Sequence, residues 1–310
     1  MRIVYMGTPP FAVPPLQALI TAGHELAGVV TRRDKPAGRG RSLTPPAVKI
    51  AAEQAGITVF QPKRVREPES IAAIRAMGPE VIVVAAYGQI LPREVLAMPK
   101  YGCVNIHASL LPAYRGAAPI NWSIINGETR TGITIMQMDE GLDTGAILAQ
   151  EGIPIDLRDT TGTLTEKLSQ TGCRLVVDAL SRIEAGEISP VPQDPGKATL
   201  APLLKKEDGL INWELHAAAI HDRVRGLSPW PGAFSFLDGA MVKVLETEVV
   251  PGNGDPGTLT SQGKDVLAVG TGNKLLRIVS IQLEGKRPMT AAEFLRGHRG
   301  VVGKKFNVRR

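Results

Sequence analysis

Arg2-Ile3-Val4-Tyr5-Met6-Gly7-Thr8-Pro9-Pro10 opens a pattern that Glu25-Leu26-Ala27-Gly28-Val29-Val30-Thr31 completes. Ile3–Met6 and Leu26–Thr31 are apolar runs of strand length. Between them, Pro9 to Ala22 carries proline in its opening turn and Gly23 just past its end, which is helix punctuation. Working outward, further strand-like runs stand at Ile57–Phe60, Val81–Ala86, Cys103–His107 and Ile133–Met138. The helix-sized segments Pro45 to Ala55 (stopped by Gly56) and Pro68 to Met77 (stopped by Gly78-Pro79) alternate with them. Thr160 to Ala185 closes the series, with Leu164, Leu168, Leu175, Val176, Ala179, Leu180 and Ile183 on one helical face. Strands alternating with helices predict an α/β fold with a mostly parallel sheet covered on both faces.

The composition then changes. Gly186 to Pro202 holds four prolines and two glycines without periodicity and reads as a linker. Trp213 to Gly226 predicts a helix. Short strands follow at Phe234–Leu237, Met241–Val250, Val266–Val269 and Leu275–Leu283, broken by Asp238-Gly239 and Gly270-Thr271-Gly272. That spacing predicts a small barrel. The expected layout is a Rossmann-like domain over residues 1–189, a linker over 190–204 and an OB-like barrel over 205–310.

At 310 residues and 43% hydrophobic, the chain is long enough for two cored domains. No apolar run reaches the ~18–20 residues of a membrane helix, and the opening residues lack the features of a signal peptide. Cys103 and Cys173 form no CxxC pair and are expected to be buried free thiols, which fits a reducing cytoplasm. The net charge of +6 is unevenly spread. Lys205 to Arg310 carries 16 basic and 11 acidic residues, and Arg32 to Arg41 sets five basic residues against Asp34. A polyanion touching two places would explain this pattern; a solvated charged surface would as well.

In an open parallel sheet, ligands bind beyond the carboxyl ends of the strands, and four loops are expected there. Gly7-Thr8-Pro9-Pro10 is not a GxGxxG turn, and its prolines offer no N–H groups to a pyrophosphate, which argues against NAD or FAD. The others are Tyr87-Gly88-Gln89-Ile90-Leu91-Pro92, Asn105-Ile106-His107-Ala108-Ser109-Leu110-Leu111-Pro112 and Asp139-Glu140-Gly141-Leu142-Asp143-Thr144-Gly145. Residues two apart on a strand share a face, so Asn105 and His107 project together. An imidazole there can donate to an oxyanion or shuttle a proton, an amide can hold a carbonyl oxygen, and Asp143 could orient the imidazole. Spacing alone equally allows a satisfied strand-end histidine and a helix-capping aspartate. His216 and His221 are five apart and make no HExxH-type face, while His24 and His298 have no companions. No metal site, GxSxG nucleophile or calcium loop is expected.

Asn105-x-His107 followed by Ser109-Leu110-Leu111-Pro112-Ala113-Tyr114-Arg115-Gly116-Ala117-Ala118-Pro119-Ile120 resembles the formyltransferase family that uses 10-formyltetrahydrofolate. Met136-Gln137-Met138-Asp139-Glu140-Gly141-Leu142-Asp143-Thr144-Gly145 resembles it as well, and the likeness spans nearly the whole chain, more loosely after Asp238. Members act on glycinamide ribonucleotide, on amino sugars or on methionyl-tRNA. The loop Arg32-Arg33-Asp34-Lys35-Pro36-Ala37-Gly38-Arg39-Gly40-Arg41-Ser42-Leu43-Thr44-Pro45-Pro46 looks like the basic insertion used against a tRNA acceptor stem. With the basic C-terminal barrel, entered at Ser228-Pro229-Trp230-Pro231-Gly232, it favours initiator methionyl-tRNA, and hence a role in translation initiation. By resemblance, Asn105, His107 and Asp143 carry catalysis. Ser109, Leu110, Leu111 and Pro112 contact the folate, joined by Tyr87, Gly88, Gln89, Ile90, Leu91, Asp139 and Gly141. Arg32, Arg33, Lys35, Arg39 and Arg41 contact tRNA. The resemblance implies 10-formyltetrahydrofolate as co-substrate, no metal, no membrane partner and a monomer. The nearest rival keeps the chemistry and takes a small-molecule amine as acceptor. A non-catalytic RNA-binding protein on the same fold is the rival of another class.

Overall fold

The computed structural model describes residues 1–37, 42–261, 263 and 265–307. Arg39 and Arg41, expected to meet tRNA, lie outside the described residues. Two compact units share the chain. One comprises Met1–Pro119, Thr131–Ile153 and Thr165–Ala201; the other comprises Ile120–Arg130, Pro154–Leu164 and Pro202–Arg310.

In chain order the elements are β1 (Arg2–Gly7), α1 (Val13–Thr21), β2 (Glu25–Val30), β3 (Lys35–Ala37), β4 (Ser42–Thr44), α2 (Ala47–Gln54), β5 (Val59–Phe60), α3 (Pro68–Ala76) and β6 (Val81–Ala85). There follow α4 (Arg93–Leu96), β7 (Cys103–His107), β8 (Arg115–Gly116), α5 (Pro119–Ile125), β9 (Arg130–Gln137), β10 (Ile147–Pro154), α6 (Thr161–Glu184) and β11 (Leu200–Ala201). A seven-stranded sheet runs β10-β9-β7-β6-β1-β2-β5. From β5 through β7 its pairs are parallel, while β9 is antiparallel to β7. The chain leaves β1 for β2 and β5, then returns to β6 on the other side of β1, which makes a topological switch point.

Every residue of β6 is buried, as a strand covered on both faces requires. Val4, Met6, Ile82, Val84 and Cys103 pack with Ile74 of α3 and Val95 of α4. Each such side chain stabilises the fold by about 1.5–3 kcal/mol through burial. Gly172 of α6 packs against Ile106, whose side chain takes the opposite face of β7. Between β1 and β2 the expected helix from Pro9 starts as a 3-10 turn over Pro10–Ala12 and becomes α-helical at Val13. Pro14 and Pro15 sit in the first turn of α1, where no N–H is needed. Strand β10 goes beyond the six expected strands. Cys103 is buried as expected, whereas Cys173 is only half-buried.

The second unit adds α7 (Ala217–Gly226), β12 (Ala233–Leu237), β13 (Ala240–Val250), β14 (Leu259–Ser261), β15 (Leu267–Gly270), β16 (Leu275–Leu283), β17 (Met289–Thr290) and α8 (Ala291–Gly297). The helix expected from Trp213 begins only at Ala217. Trp213 is instead taken into the core, where its ring stacks on Phe306 at 5.2 Å between centroids and its Nε1 donates to Ser235 Oγ at 3.1 Å. The antiparallel strands run β12-β13-β16-β15-β14, with β17 beside β16. Gly303 to Asn307 closes this sheet on itself. Asn307 exchanges both backbone hydrogen bonds with Phe236 of β12 (2.8 and 3.0 Å), while Leu259 of β14 donates to Lys304 and accepts from Gly303, both at 2.8 Å. Val242, Val244, Leu259, Leu267, Val269, Leu276, Ile278 and Ile281 are all buried within the second unit. This is the small barrel predicted from the turn spacing.

Candidate active site

Asn105 and His107 lie on the face of β7 that carries Cys103, beyond the packing of α3 and α4. Both are buried, and both approach Asp143. Asn105 Nδ2 is 3.5 Å and His107 Nδ1 3.7 Å from Asp143 Oδ1, while Asp143 Oδ2 accepts the Gly116 N–H at 2.9 Å. One carboxylate oxygen is therefore firmly held. The other faces two groups at distances longer than an ordinary hydrogen bond. Asp143 has a φ of 52°, a left-handed conformation that is unfavourable for a residue with a Cβ.

The route taken by the Asp139–Asp143 loop differs from the expected one. Because β9 is antiparallel to β7, Gln137 pairs with Val104 and His107 with Thr134, so the loop departs near the amino end of β7. It then doubles back to bring Asp143 to Asn105 and His107. Asp139 Oδ1 shapes the excursion by accepting from Gly141 N at 3.0 Å and Thr144 Oγ1 at 2.7 Å. Gly145 ends it so close to the preceding strand that a Cβ would collide with the Gln137 carbonyl oxygen.

His107 Nε2 lies 3.0 Å from the carbonyl oxygen of Tyr114. A carbonyl only accepts, so Nε2 carries its hydrogen and Nδ1 is the nitrogen left to exchange protons. Ser109, expected at the folate, is fully buried, and its hydroxyl donates to Ala113 O at 2.6 Å. Thr134 Oγ1 donates to Ser109 O at 2.6 Å and accepts from Leu111 N at 3.1 Å, so the Ser109–Pro112 turn is fixed from below. Leu110 and Pro112 remain half-exposed, and Leu111 is buried.

In the Tyr87–Leu91 loop, Gly88 and Ile90 are exposed, while Tyr87 and Leu91 point inward. Burial pushes the Tyr87 phenol up to about 12, with Arg32 pulling the other way. Gln89 Oε1 is occupied by the Val65 N–H at 2.9 Å. Arg32 donates to the Gly88 carbonyl, which ties it to this loop. Arg33 and Lys35 are exposed, and Arg33 Nε donates to Gln61 O at 3.3 Å. Asp34 is held below the usual carboxylate range, first by its hydrogen bond from Gln61 and then by Lys49. Among the described residues, no three His, Cys, Asp or Glu side chains group as a metal site.

Residues 1–180 match the model of the formyl transferase family, and residues 203–299 match its C-terminal domain. The chain belongs to the formyl transferase family. It is 51% identical over 98% of its length to the methionyl-tRNA formyltransferase of Citrifermentans bemidjiense, covering 97% of that protein. With the methionyl-tRNA formyltransferase of Thermodesulfovibrio yellowstonii it shares 50% identity, over 96% of each chain. The solved structure of HypX from Aquifex aeolicus in complex with tetrahydrofolic acid shares the fold. Its TM-score is 0.66 at 18% identity, covering 95% of this chain and 47% of that one.

Several parts of this family member's site escaped sequence reasoning. The Gly116 N–H and the Tyr114 carbonyl are backbone groups within the Ser109–Ile120 stretch, and no side-chain pattern announces them. The stretch expected to be a linker hydrogen-bonds to the site loops. Thr199 Oγ1 accepts from Tyr114 N at 2.8 Å, Thr199 O accepts from Arg115 N at 2.9 Å, and β11 pairs with β8. Gly116 has a φ of 120° and passes so near β11 that a Cβ would stand 2.7 Å from the Ala201 carbonyl oxygen.

Proposed function

We propose that this chain transfers the formyl group of 10-formyltetrahydrofolate to the α-amine of methionine carried by initiator tRNA. One observation carries the reading: Asn105, His107 and Asp143 converge in a chain that matches methionyl-tRNA formyltransferases over nearly its whole length.

The chemistry follows from the groups present. An esterified methionine has an α-amine whose pKa is no higher than the ~7.7–8 of a free α-amino group, so much of it is nucleophilic at neutral pH. It attacks the formyl carbon directly and needs no enzyme nucleophile. The Asn105 amide donates to the oxygen that becomes an oxyanion. With Nε2–H engaged by Tyr114, His107 serves through Nδ1, donating there when protonated. Asp143 accepts the amine's proton at Oδ1, directly or through a water, while Gly116 keeps Oδ2 in place. The proton taken up by Asp143 passes, directly or through the water, to the folate nitrogen as it leaves, so one C–N bond forms, one breaks, and protons balance. Leu110, Pro112, Gly88 and Ile90, with Asp139 and Gly141, offer the accessible surface for the folate. Ser109, Leu111, Tyr87 and Leu91 support it from the interior. Arg33, Lys35, Arg39 and Arg41 bind the acceptor stem, and Arg32 joins them from its place on the Gly88 carbonyl. The protein acts as a monomer in the cytoplasm, where charged tRNA is found.

The test is to mix the protein with 10-formyltetrahydrofolate and charged initiator tRNA and to look for formylmethionine. If formyl passes only to a small-molecule amine, the acceptor is wrong and the chemistry stands. If it passes to no amine at all, the whole reading falls.

A further inference from the structure

Gln193 stands in the Pro-rich stretch Pro190-Val191-Pro192-Gln193-Asp194-Pro195, between exposed neighbours, yet it is itself half-buried. Its Nε2 donates to two backbone carbonyls, Asp143 O at 2.8 Å and Gly145 O at 2.7 Å. Its Oε1 accepts from Arg115 Nε at 3.1 Å and from a terminal nitrogen of the same guanidinium at 2.7 Å. Only one orientation of the amide satisfies all four contacts, since the flipped group would set oxygen against two carbonyls and NH2 against a guanidinium.

We propose that Gln193 is a positioning residue for the reacting carboxylate of Asp143, an inference that rests on the formyl-transfer reading above. Asp143 sits in a left-handed conformation at the far reach of an excursion from β9 and needs fixing from outside its own loop. The two N–H groups of one primary amide hold both ends of the Asp143–Gly145 turn. The oxygen of the same amide grips Arg115, whose neighbour Gly116 donates to Asp143 Oδ2. The contacts close a ring: Gln193 fixes the backbone of Asp143, Gly116 fixes its side chain, and Arg115 ties the two together. Gln193 is in turn anchored through Val191, which exchanges backbone hydrogen bonds of 2.8 and 2.9 Å with Ile147 at the start of β10. A carboxylate displaced by about 1 Å loses on the order of a hundredfold in rate without losing substrate affinity.

The experiment compares Gln193→Glu and Gln193→Met with the unsubstituted protein. Glutamate retains acceptor oxygens for Arg115 and removes the donors, whereas methionine removes both. Each variant should lower kcat by roughly 10- to 100-fold and leave KM for methionyl-tRNA and for the folate within about twofold. In an Asp143→Asn background, Gln193→Met should cause no further loss, because Gln193 acts only through Asp143. A loss that multiplies in the double variant, or that appears in KM rather than kcat, overturns the proposal. A second readout needs no turnover. Hydrogen exchange at the Gly116 amide, followed by NMR, should quicken at least about tenfold in Gln193→Met while β1 and β6 stay protected. Unchanged exchange at Gly116 overturns the positioning role even if formyl transfer stands. Failure of the unsubstituted protein to formylate methionyl-tRNA overturns the function and leaves the exchange result to decide for Gln193.

Discussion

Asp143 has one oxygen bound by a backbone N–H and the other left facing Asn105 and His107, so its two atoms can be separated by substitution. In Asp143→Asn the amide oxygen can still accept from Gly116, but the group can no longer take up a proton. Turnover should fall by ~10² or more, the usual size of a general-base effect, with the folate dissociation constant unchanged by titration. A variant that retained a tenth of normal turnover would make Asp143 a structural residue. Cys103 is a second case in which one residue sets a measurable property. Burial pushes its thiol up to about 12 from an ordinary value of 9.0. Above the ordinary value the unfolded chain has released this proton and the folded chain has not, so stability declines as pH rises towards 12. The slope from this one group is about 1.4 kcal/mol per pH unit. Urea titrations at pH 9 to 11 should show a shallower decline in Cys103→Ala; equal slopes would mean the thiol does not contribute. Some of these single-residue roles were legible and some were not. Asn105 and His107 follow from strand periodicity, which needs only the sequence. Strand order also offers Asp143, but by the wrong route, since an antiparallel β9 starts its loop at the other edge; its part in catalysis is what the resemblance implies. Gln193 gives no local signal, because its four partners are all distant in sequence.

At the scale of elements, legibility tracks burial on both faces. The β1 and β6 runs are continuous apolar stretches, β7 is buried throughout although it carries Asn105 and His107, and the expected segments match all three closely. Strand β10 reads Ile-Leu-Ala-Gln-Glu-Gly-Ile-Pro and lies at the sheet edge, where solvent on one side breaks the pattern. Helix α8 has seven residues, too few for periodicity. Its start is fixed by a capping box, in which Thr290 Oγ1 accepts from Glu293 N and the Glu293 carboxylate accepts from Thr290 N. The closing segment of the barrel escaped notice because its pairing partners, Phe236 and Leu259, are far upstream. Phe306 gives a direct measure of what that segment contributes. It is 3% exposed and stacked on Trp213. Phe306→Ala should destabilise the barrel by about 3–5 kcal/mol, seen as a lower denaturation midpoint at an unchanged m-value. An unaltered midpoint would show that closure is dispensable for stability.

Over the whole molecule, positive charge gathers in the Arg32–Arg41 stretch and in the C-terminal third. If both meet the phosphate backbone of one tRNA, affinity must depend steeply on salt. Arg39→Ala with Arg41→Ala should weaken methionyl-tRNA binding and flatten the plot of log affinity against log salt by roughly one unit per lost phosphate contact. Folate affinity should be unchanged, and catalytic efficiency should fall mainly through the tRNA term. A double variant that formylates methionyl-tRNA with unchanged efficiency at every salt concentration would shift the acceptor to a small molecule.

The closure of the barrel also sets an order of events during protein synthesis. Every residue of the catalytic sheet leaves the ribosome before Gly303, so that sheet can pair completely while translation continues. The barrel cannot. Until Gly303–Asn307 emerge, the backbone groups of Phe236 on β12 and Leu259 on β14 lack the partners they have in the finished barrel and are open to a strand from another chain. A chain halted before Gly303 would hold a fully paired sheet beside a barrel still open along one flank. Such a product calls for the attention of nascent-chain chaperones or proteases, although Asn105, His107 and Asp143 are all present in it.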